Sequence, residues 1–295
     1  MFNNKHIAQD LLNMKLLLFF TIFLYYSINT TTASYFKHIG MADGLSQLSV
    51  RGIYQDQINR IWIGTHEGIS IFDGIRVINY KPIKNNDPTK PYENHTFIGN
   101  LVSQITGDKN GDIFMLVDDK LVKYDFNKET FSTIFTTKVH TIYSNQKNIW
   151  CVKNDSIFKY ENNEKKFTFQ IKTSLNNINS LLVNDDTFYL GTTSGLYTIE
   201  KNKKMSILCP QCHINSLYQD KNNRIWIGTR YNGCFYLNPS RQTKIQKLKL
   251  TTPLKESIDI RCFTEDKKGY MWIGTFDGLY QINLENLVIS QNFTS

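Results

Sequence analysis

An all-β propeller built of four-stranded antiparallel blades is the fold this sequence predicts, on three observations. A degenerate aromatic phrase recurs six times; the intervals between copies suit one four-stranded sheet each; and β-branched and aromatic residues dominate the recurring runs, with Asn, Asp and Gly between them. Three copies are nearly verbatim: Arg60-Ile61-Trp62-Ile63-Gly64-Thr65, Arg224-Ile225-Trp226-Ile227-Gly228-Thr229 and Tyr270-Met271-Trp272-Ile273-Gly274-Thr275. Phe114, Trp150 and Tyr189 read as weaker equivalents of the tryptophans. The landmarks then fall at 62, 114, 150, 189, 226 and 272, separated by 52, 36, 39, 37 and 46 residues. A period of about 40 to 45 residues fits a propeller blade and is too long for an ankyrin or tetratricopeptide unit. No apolar stripe of helical period extends beyond two turns after residue 35.

Each element has a local reason. The first strand of a unit, such as Ile53-Tyr54-Gln55-Asp56 or Leu217-Tyr218-Gln219-Asp220, leads into a polar turn that ends at Arg60 or Arg224, which is hairpin chemistry. The second strand carries Trp62, Trp150, Trp226 or Trp272 and is apolar on consecutive positions, as expected of a sheet packed on both faces between neighbouring blades. The tryptophans are therefore blade-core residues. A second turn, Thr65-His66-Glu67-Gly68, Thr192-Thr193-Ser194-Gly195 or Thr275-Phe276-Asp277-Gly278, precedes a third strand, and a fourth such as Arg76–Tyr80, Phe131–Ile134 or Phe167–Ile171 closes the unit. The six repeats span about 48–80, 100–135, 138–171, 177–208, 213–248 and 259–293. Tyr35–Ile39 is left over as a spare strand. Because blade six has its own fourth strand, Leu287–Phe293, the count predicts an incomplete seven-bladed ring.

Residues 1–33 read as an export signal starting at Met14: Lys15, an apolar run from Leu16 to Tyr26, and small residues Thr31-Thr32-Ala33 before Ser34. That run is shorter than the roughly 20 residues a spanning helix needs. The mature propeller, 34–295, is accordingly expected to be periplasmic, without membrane contact of its own. The formal charge of the whole chain is +8, of which residues 1–33 carry one. The basic residues are dispersed over turns without a run of five, which argues against a nucleic-acid partner.

Five cysteines are too few for a disulfide-built fold. Cys209-Pro210-Gln211-Cys212-His213 has the spacing of a c-type haem attachment sequence, but no haem-pocket pattern surrounds it, and a local disulfide or free thiols is the preferred reading. One C-x-x-C without a second pair is an incomplete zinc site. No cofactor, metal or catalytic residue is assigned, since no nucleophile-elbow, metalloprotease, P-loop or dinucleotide pattern occurs. Topology points instead to a binding face. The turn after Thr65 and the connections between blades emerge on the same side, and the longest connection, Pro82 to Gly99, lies there. The expected ligand-binding residues are His66, Glu67, Tyr92, His95, Arg230, Tyr231, Phe276 and Asp277, with aromatics to stack on a sugar ring and polar groups for its hydroxyls.

The phrases Phe36-Lys37-His38-Ile39, Asp43-Gly44-Leu45-Ser46, Gln55-Asp56, Ile61–Thr65 and Gly68–Gly74 resemble the two-component regulator propeller family, at the start of the periplasmic sensor region of Bacteroidetes-type hybrid two-component systems. The resemblance covers 35–293 and is weakest in blades two and three, where Phe114-Met115-Leu116 and Trp150-Cys151-Val152 lack the Gly-Thr pair. It implies an extracytoplasmic head that senses a glycan breakdown product, here without kinase or output domains: a truncated frame, a split gene or a standalone binding protein. The partners expected are an oligosaccharide and a homodimer mate or second propeller. A secreted polysaccharide lyase or hydrolase and a protein-interaction scaffold are the rival readings; converging carboxylates would favour the enzyme, an exposed apolar patch the scaffold.

Overall fold

The hairpin turns set the architecture. In blade 1 the backbone reverses at Asn59, in blade 5 at Asn223, in blade 2 at Gly111 and in blade 6 at Gly269, all with positive φ between 60 and 89°; Asn and Gly enter that region at less cost than most other residues. Each reversal joins two strands of one antiparallel sheet. A computed structural model of the protein describes residues 36–81, 99–145, 147–240, 244–249 and 258–294.

Blade 1 comprises β1 (Val50–Gln55), β2 (Ile61–Thr65), β3 (Gly68–Phe72) and β4 (Val77–Tyr80), and blade 2 β5 (Val102–Gly107), β6 (Ile113–Val117), β7 (Lys120–Asp125) and β8 (Thr130–Phe135). Blade 3 contains β9 (Val139–Ser144), β10 (Ile149–Lys153), β11 (Ser156–Glu161) and β12 (Lys166–Lys172), and blade 4 β13 (Ile178–Asn184), β14 (Thr187–Thr192), β15 (Gly195–Ile199) and β16 (Met205–Pro210). Blade 5 is β17 (Ile214–Gln219), β18 (Ile225–Thr229), β19 (Cys234–Leu237) and the short β20 (Gln246–Lys247); blade 6 is β21 (Ile260–Glu265), β22 (Tyr270–Thr275), β23 (Gly278–Asn283) and β24 (Ile289–Thr294). Every sheet runs in sequence order from inner to outer strand. The fold is the expected all-β propeller of six four-stranded antiparallel blades.

The chain divides into two units, Met1–Ile39 and Gly40–Ser295. In the first, residues 36–39 have no regular secondary structure. The spare strand expected at Tyr35–Ile39 is thus not formed, and Tyr35 and the export signal lie outside the described residues. The second unit opens with a 3-10 turn, Met41–Asp43, after which Leu45 and Ser46 are buried against blade 1. Ser46 N–H donates to Ser70 Oγ at 3.2 Å, and Asn79 Nδ2 donates to the Gly44 carbonyl at 2.8 Å.

The core lies between blades. Trp62, Ile69 and Ile71 pack against Val102, Met115 and Val122 of blade 2, and Phe114 and Leu121 face Ile142 and Tyr160 of blade 3. Trp150 faces Leu181 and Leu190, Tyr189 faces Ile214 and Ile227, and Trp226 faces Ile260 and Tyr280. In blades 1 to 5 the aromatic of the second strand therefore fills the space toward the following blade. The glycine two residues later permits the approach. A Cβ on Gly64 would lie 2.7 Å from the Val102 carbonyl oxygen, and one on Gly228 would lie 2.7 Å from the Ile260 side chain.

Six blades share five such cores among the described residues. The inner strands pack in succession from β1 to β21, and β21 makes no comparable packing on β1. At this seam Trp272 is only half-buried whereas Trp62 and Trp226 are fully enclosed, and Trp272 stacks on Phe293 of its own blade at 5.9 Å. Ile53 on β1 is 66% exposed, and Cys262 on β21 is exposed where its counterpart Ser180 is buried. The ring is unclosed between blades 6 and 1.

Each tryptophan phrase is also locked by a carboxylate. Asp56, Asp220 and Asp266 accept the indole N–H of Trp62, Trp226 and Trp272 at 2.8, 2.9 and 2.9 Å, six residues on. The same carboxylates accept the backbone N–H of Arg60, Arg224 and Tyr270. Asp220 is further paired with the buried Arg224 at 2.7 Å. Burial alone would raise the Asp56 carboxyl, but hydrogen bonds from Trp62 and Arg60 outweigh it and hold it below the usual carboxylate range. Its stabilisation is therefore complete above the unfolded value near ~4 and is lost as pH falls through the lower folded value.

Urea unfolding should show Asp220→Ala to cost about 3 kcal/mol, because it strands a buried guanidinium and an indole N–H, and Asp266→Ala about 1 kcal/mol, because Trp272 keeps access to water. Equal losses would contradict the asymmetry between these blades. The glycines should divide the same way: Gly228→Ala, forced against Ile260, should cost about 2 kcal/mol, and Gly274→Ala less, since a Cβ there meets only Cys262 of its own blade.

Candidate functional site

The loop face is assembled by one repeated hydrogen-bond pattern. Threonine at the end of the second strand turns its hydroxyl onto the carbonyl that opens the third: Thr65 to Gly68, Thr192 to Gly195, Thr229 to Gly233 and Thr275 to Gly278, at 2.7 to 3.1 Å. The residue after the threonine then reaches the incoming connection. Arg230 N–H donates to the His213 carbonyl at 2.9 Å and Phe276 N–H to the Asp259 carbonyl at 3.0 Å. Turns and connections thus meet on one face.

A second device brings inner-strand side chains to the same face. Each inner strand has a bulge after its first residue, where the register with its neighbour slips. The residues at the slip are Arg51, Ser103, His140, Asn179, Asn215 and Arg261. A bulge re-aims a side chain that strict alternation would turn into the sheet stack. Asn179 Nδ2 donates to the Ile214 carbonyl at 2.9 Å and Asn215 Nδ2 to the Ile260 carbonyl at 3.0 Å, tying each blade to the next.

These devices converge on blades 5 and 6. The His213 and Tyr231 rings meet edge to face at 6.0 Å, and the Arg230 guanidinium lies 5.2 Å from the centre of Tyr231. His213 Nε2 sits 3.4 Å from Asn179 Nδ2. On blade 6 the Arg261 guanidinium lies 5.8 Å from the centre of Phe276 and pairs with Asp259 at 2.6 Å, while Asp259 also accepts Asn215 Nδ2 at 2.8 Å. Tyr231 and Phe276 are 59% and 75% exposed. Burial, then the Arg230 charge, lowers the His213 pKa from its ordinary 6.5, with Asp259 and Arg261 also acting on the ring. The shift favours the neutral ring.

The cysteines beside this patch are joined: Cys209 and Cys212 form a disulfide. It braces the Pro210-Gln211 connection, whose Gln211 N–H donates to the Ser194 carbonyl at 2.9 Å, and sets His213 at the entrance to β17.

Of the residues expected from sequence, Arg230 and Tyr231 come together on blade 5; Phe276 stands at the equivalent turn of blade 6, against Arg261, and half-buried Asp277 follows it, its N–H on Thr275 Oγ1. His66 and Glu67 stand exposed on blade 1, where His66 Nε2 accepts Arg51 Nε at 3.0 Å. Tyr92 and His95 lie outside the described residues. Sequence reasoning missed His213, Asn179, Asn215, Asp259 and Arg261. The signal was a polar residue directly after the first β-branched position of an inner strand, as in Ile214-Asn215 and Ile260-Arg261.

A cavity of about 820 Å³ runs between the inner strands, lined by Arg51, Gln104, Tyr143, Tyr218, Lys221 and Glu265 among others. Its carboxylates are engaged: Glu265 pairs with Lys221 at 3.0 Å and Asp220 with Arg224. Among the described residues no three His, Cys, Asp or Glu side chains converge to hold a metal ion, and no helix is long and apolar enough to cross a membrane.

Residues 44–67, 210–231 and 254–277 match the two component regulator propeller family. A histidine kinase of Formosa agariphila is 43% identical over 53 residues, 18% of this chain and 4% of the kinase. The extracellular domain of a hybrid two component system from B. thetaiotaomicron superposes with a TM-score of 0.69 at 22% identity, over 88% of this chain and 37% of that one. The extracellular domain of a one component system from the same organism gives 0.68 at 17%, over 89% and 39%. At these identities the likeness shows the fold, and the chain spans well under half of either structure.

NMR titration should place the His213 midpoint below 6.5 and show it rising in Arg230→Gln, which removes one charge acting on the ring. An unchanged midpoint would place Arg230 away from His213.

Proposed function

We propose that this two component regulator propeller is an extracytoplasmic sensing module that binds an oligosaccharide on the loop face of blades 5 and 6. Binding there shifts a partner or second propeller between two states, and no bond is made or broken. The observation that carries this reading is the patch of exposed Tyr231 and Phe276, each accompanied by a guanidinium. Exposed aromatic faces suit the apolar faces of sugar rings, and the surrounding Arg and Asn donors suit their oxygens.

The rival enzyme reading requires two free carboxylates in one pocket. Asp259 is committed to Arg261 and Asn215, and Glu265 and Asp220 in the axial cavity are committed to Lys221 and Arg224. Similarity to extracellular domains of two component systems supports export and a sensory role; the leader-like residues 1–33 support the periplasmic reading.

Tyr231→Ala should leave the thermal midpoint unchanged and weaken oligosaccharide binding about fivefold, the loss of one stacking contact of roughly 1 kcal/mol. Calorimetry against a panel of oligosaccharides checks it. Chromatographic appearance of cleaved products during the same incubation would sink the non-enzymatic reading.

A further inference from the structure

Blades 5 and 6 present the same chemical unit built from different repeat positions. In blade 5 the guanidinium comes from the turn, Arg230, and the ring from the next residue, Tyr231. In blade 6 the guanidinium comes from the inner-strand bulge, Arg261, and the ring from the turn, Phe276. Repeat inheritance would place like residues at like positions; here the composition recurs while the positions change. Blade 1 offers a third pairing, Arg51 with the His66 ring, again from bulge and turn. Blades 2 to 4 carry Ser103, His140 and Asn179 at the bulge and no guanidinium there.

The arginines differ in how they are engaged. Arg261 is held by Asp259 at 2.6 Å. Arg230 makes no ion pair among the described residues; its guanidinium lies against Tyr231, whose ring meets that of His213 edge to face. An arginine offers only donors, in a planar fork that matches carboxylate or sulfate oxygens. Glu67 and Asp277 at the turn tips and Asp259 balance the three arginines in formal charge, so an anionic group would be held by close, directed hydrogen bonds and not by a long-range field.

Resting on the oligosaccharide reading, we infer that the ligand is an acidic oligosaccharide of at least two sugar units, one stacked on Tyr231 with its anionic group on Arg230 and the next on Phe276. Ring stacking supplies affinity that tolerates the identity of the sugar. The fork of Arg230 supplies selection for the acid.

Calorimetry with the full chain tests this, using galacturonic acid, tetragalacturonate, a sulfated chondroitin tetrasaccharide and maltotetraose. One or both acidic tetrasaccharides should bind at least about tenfold more tightly than maltotetraose and than the monomer, and which of them binds separates carboxylate from sulfate. Arg230→Gln should weaken the acidic ligand about tenfold and weaken maltotetraose several-fold less, since only the acid loses a charged partner. Phe276→Ala should weaken the tetrasaccharide but not the monomer. Equal binding of maltotetraose, or indifference to Arg230→Gln, overturns the acidic inference while the oligosaccharide reading stands. Monomer binding as tight as tetramer overturns the two-unit site, and failure of every sugar to bind removes both.

Discussion

The contact on which the blades depend is the hydrogen bond from an indole N–H to a carboxylate six residues earlier. It joins a turn to the strand that follows it and fixes the rotation of the largest side chain in the core. Were the indole free to turn, the packing toward the next blade would lose its template, because that blade's inner strand rests on the tryptophan face and abuts the glycine two residues along. The bond thereby converts a local hairpin into an inter-blade surface. In low-dielectric surroundings an unpaired indole or carboxylate is costly, and blades 1, 5 and 6 avoid that cost by keeping both.

Blades 2 to 4 show what replacement looks like. Phe114 has no N–H to offer, and Asp108 instead accepts the backbone N–H groups of Asn110 and Asp112; burial first, then the neighbouring Asp112 charge, raises its pKa. Asp112 in turn takes the ammonium of the buried Lys123 at 2.5 Å, which also reaches the Tyr160 hydroxyl of blade 3 at 3.2 Å. In blade 3 the turn carries Asn145, whose side-chain oxygen accepts from Lys147 and Asn148, and the Trp150 indole N–H finds no acceptor among the described residues. Blade 4 has Tyr189 at the aromatic position, with no indole to satisfy.

Much of this was legible in the sequence, because the elements with the strongest physical constraint leave the plainest trace. A buried aromatic between two blades, a glycine where backbones meet and an Asn or Gly at a tight reversal are each nearly obligatory, and together they recur as a phrase. The candidate site was legible only in part. Arg230, Tyr231 and Phe276 follow the phrase directly, so divergence there stood out. Arg261, Asn215 and His213 reach the patch through bulges and a disulfide-braced connection, and a bulge is a one-residue slip in register that shows itself only when partner strands are known. The strand expected at Tyr35–Ile39 illustrates the converse. Alternating apolar residues need an edge to pair with, and pattern alone does not supply one.

The unclosed seam changes the thermodynamic character of the ring. Five interfaces joining six units in a row make a linear array of nearest neighbours, as in a solenoid, instead of a cycle in which every unit is clamped on both sides. Among the described residues, blades 2 to 5 each share a core with two neighbours, while blade 6 shares one with blade 5 and blade 1 one with blade 2. The Arg261–Phe276 pair sits on blade 6, so its order is tied to the described core around Trp226, Ile260 and Tyr280.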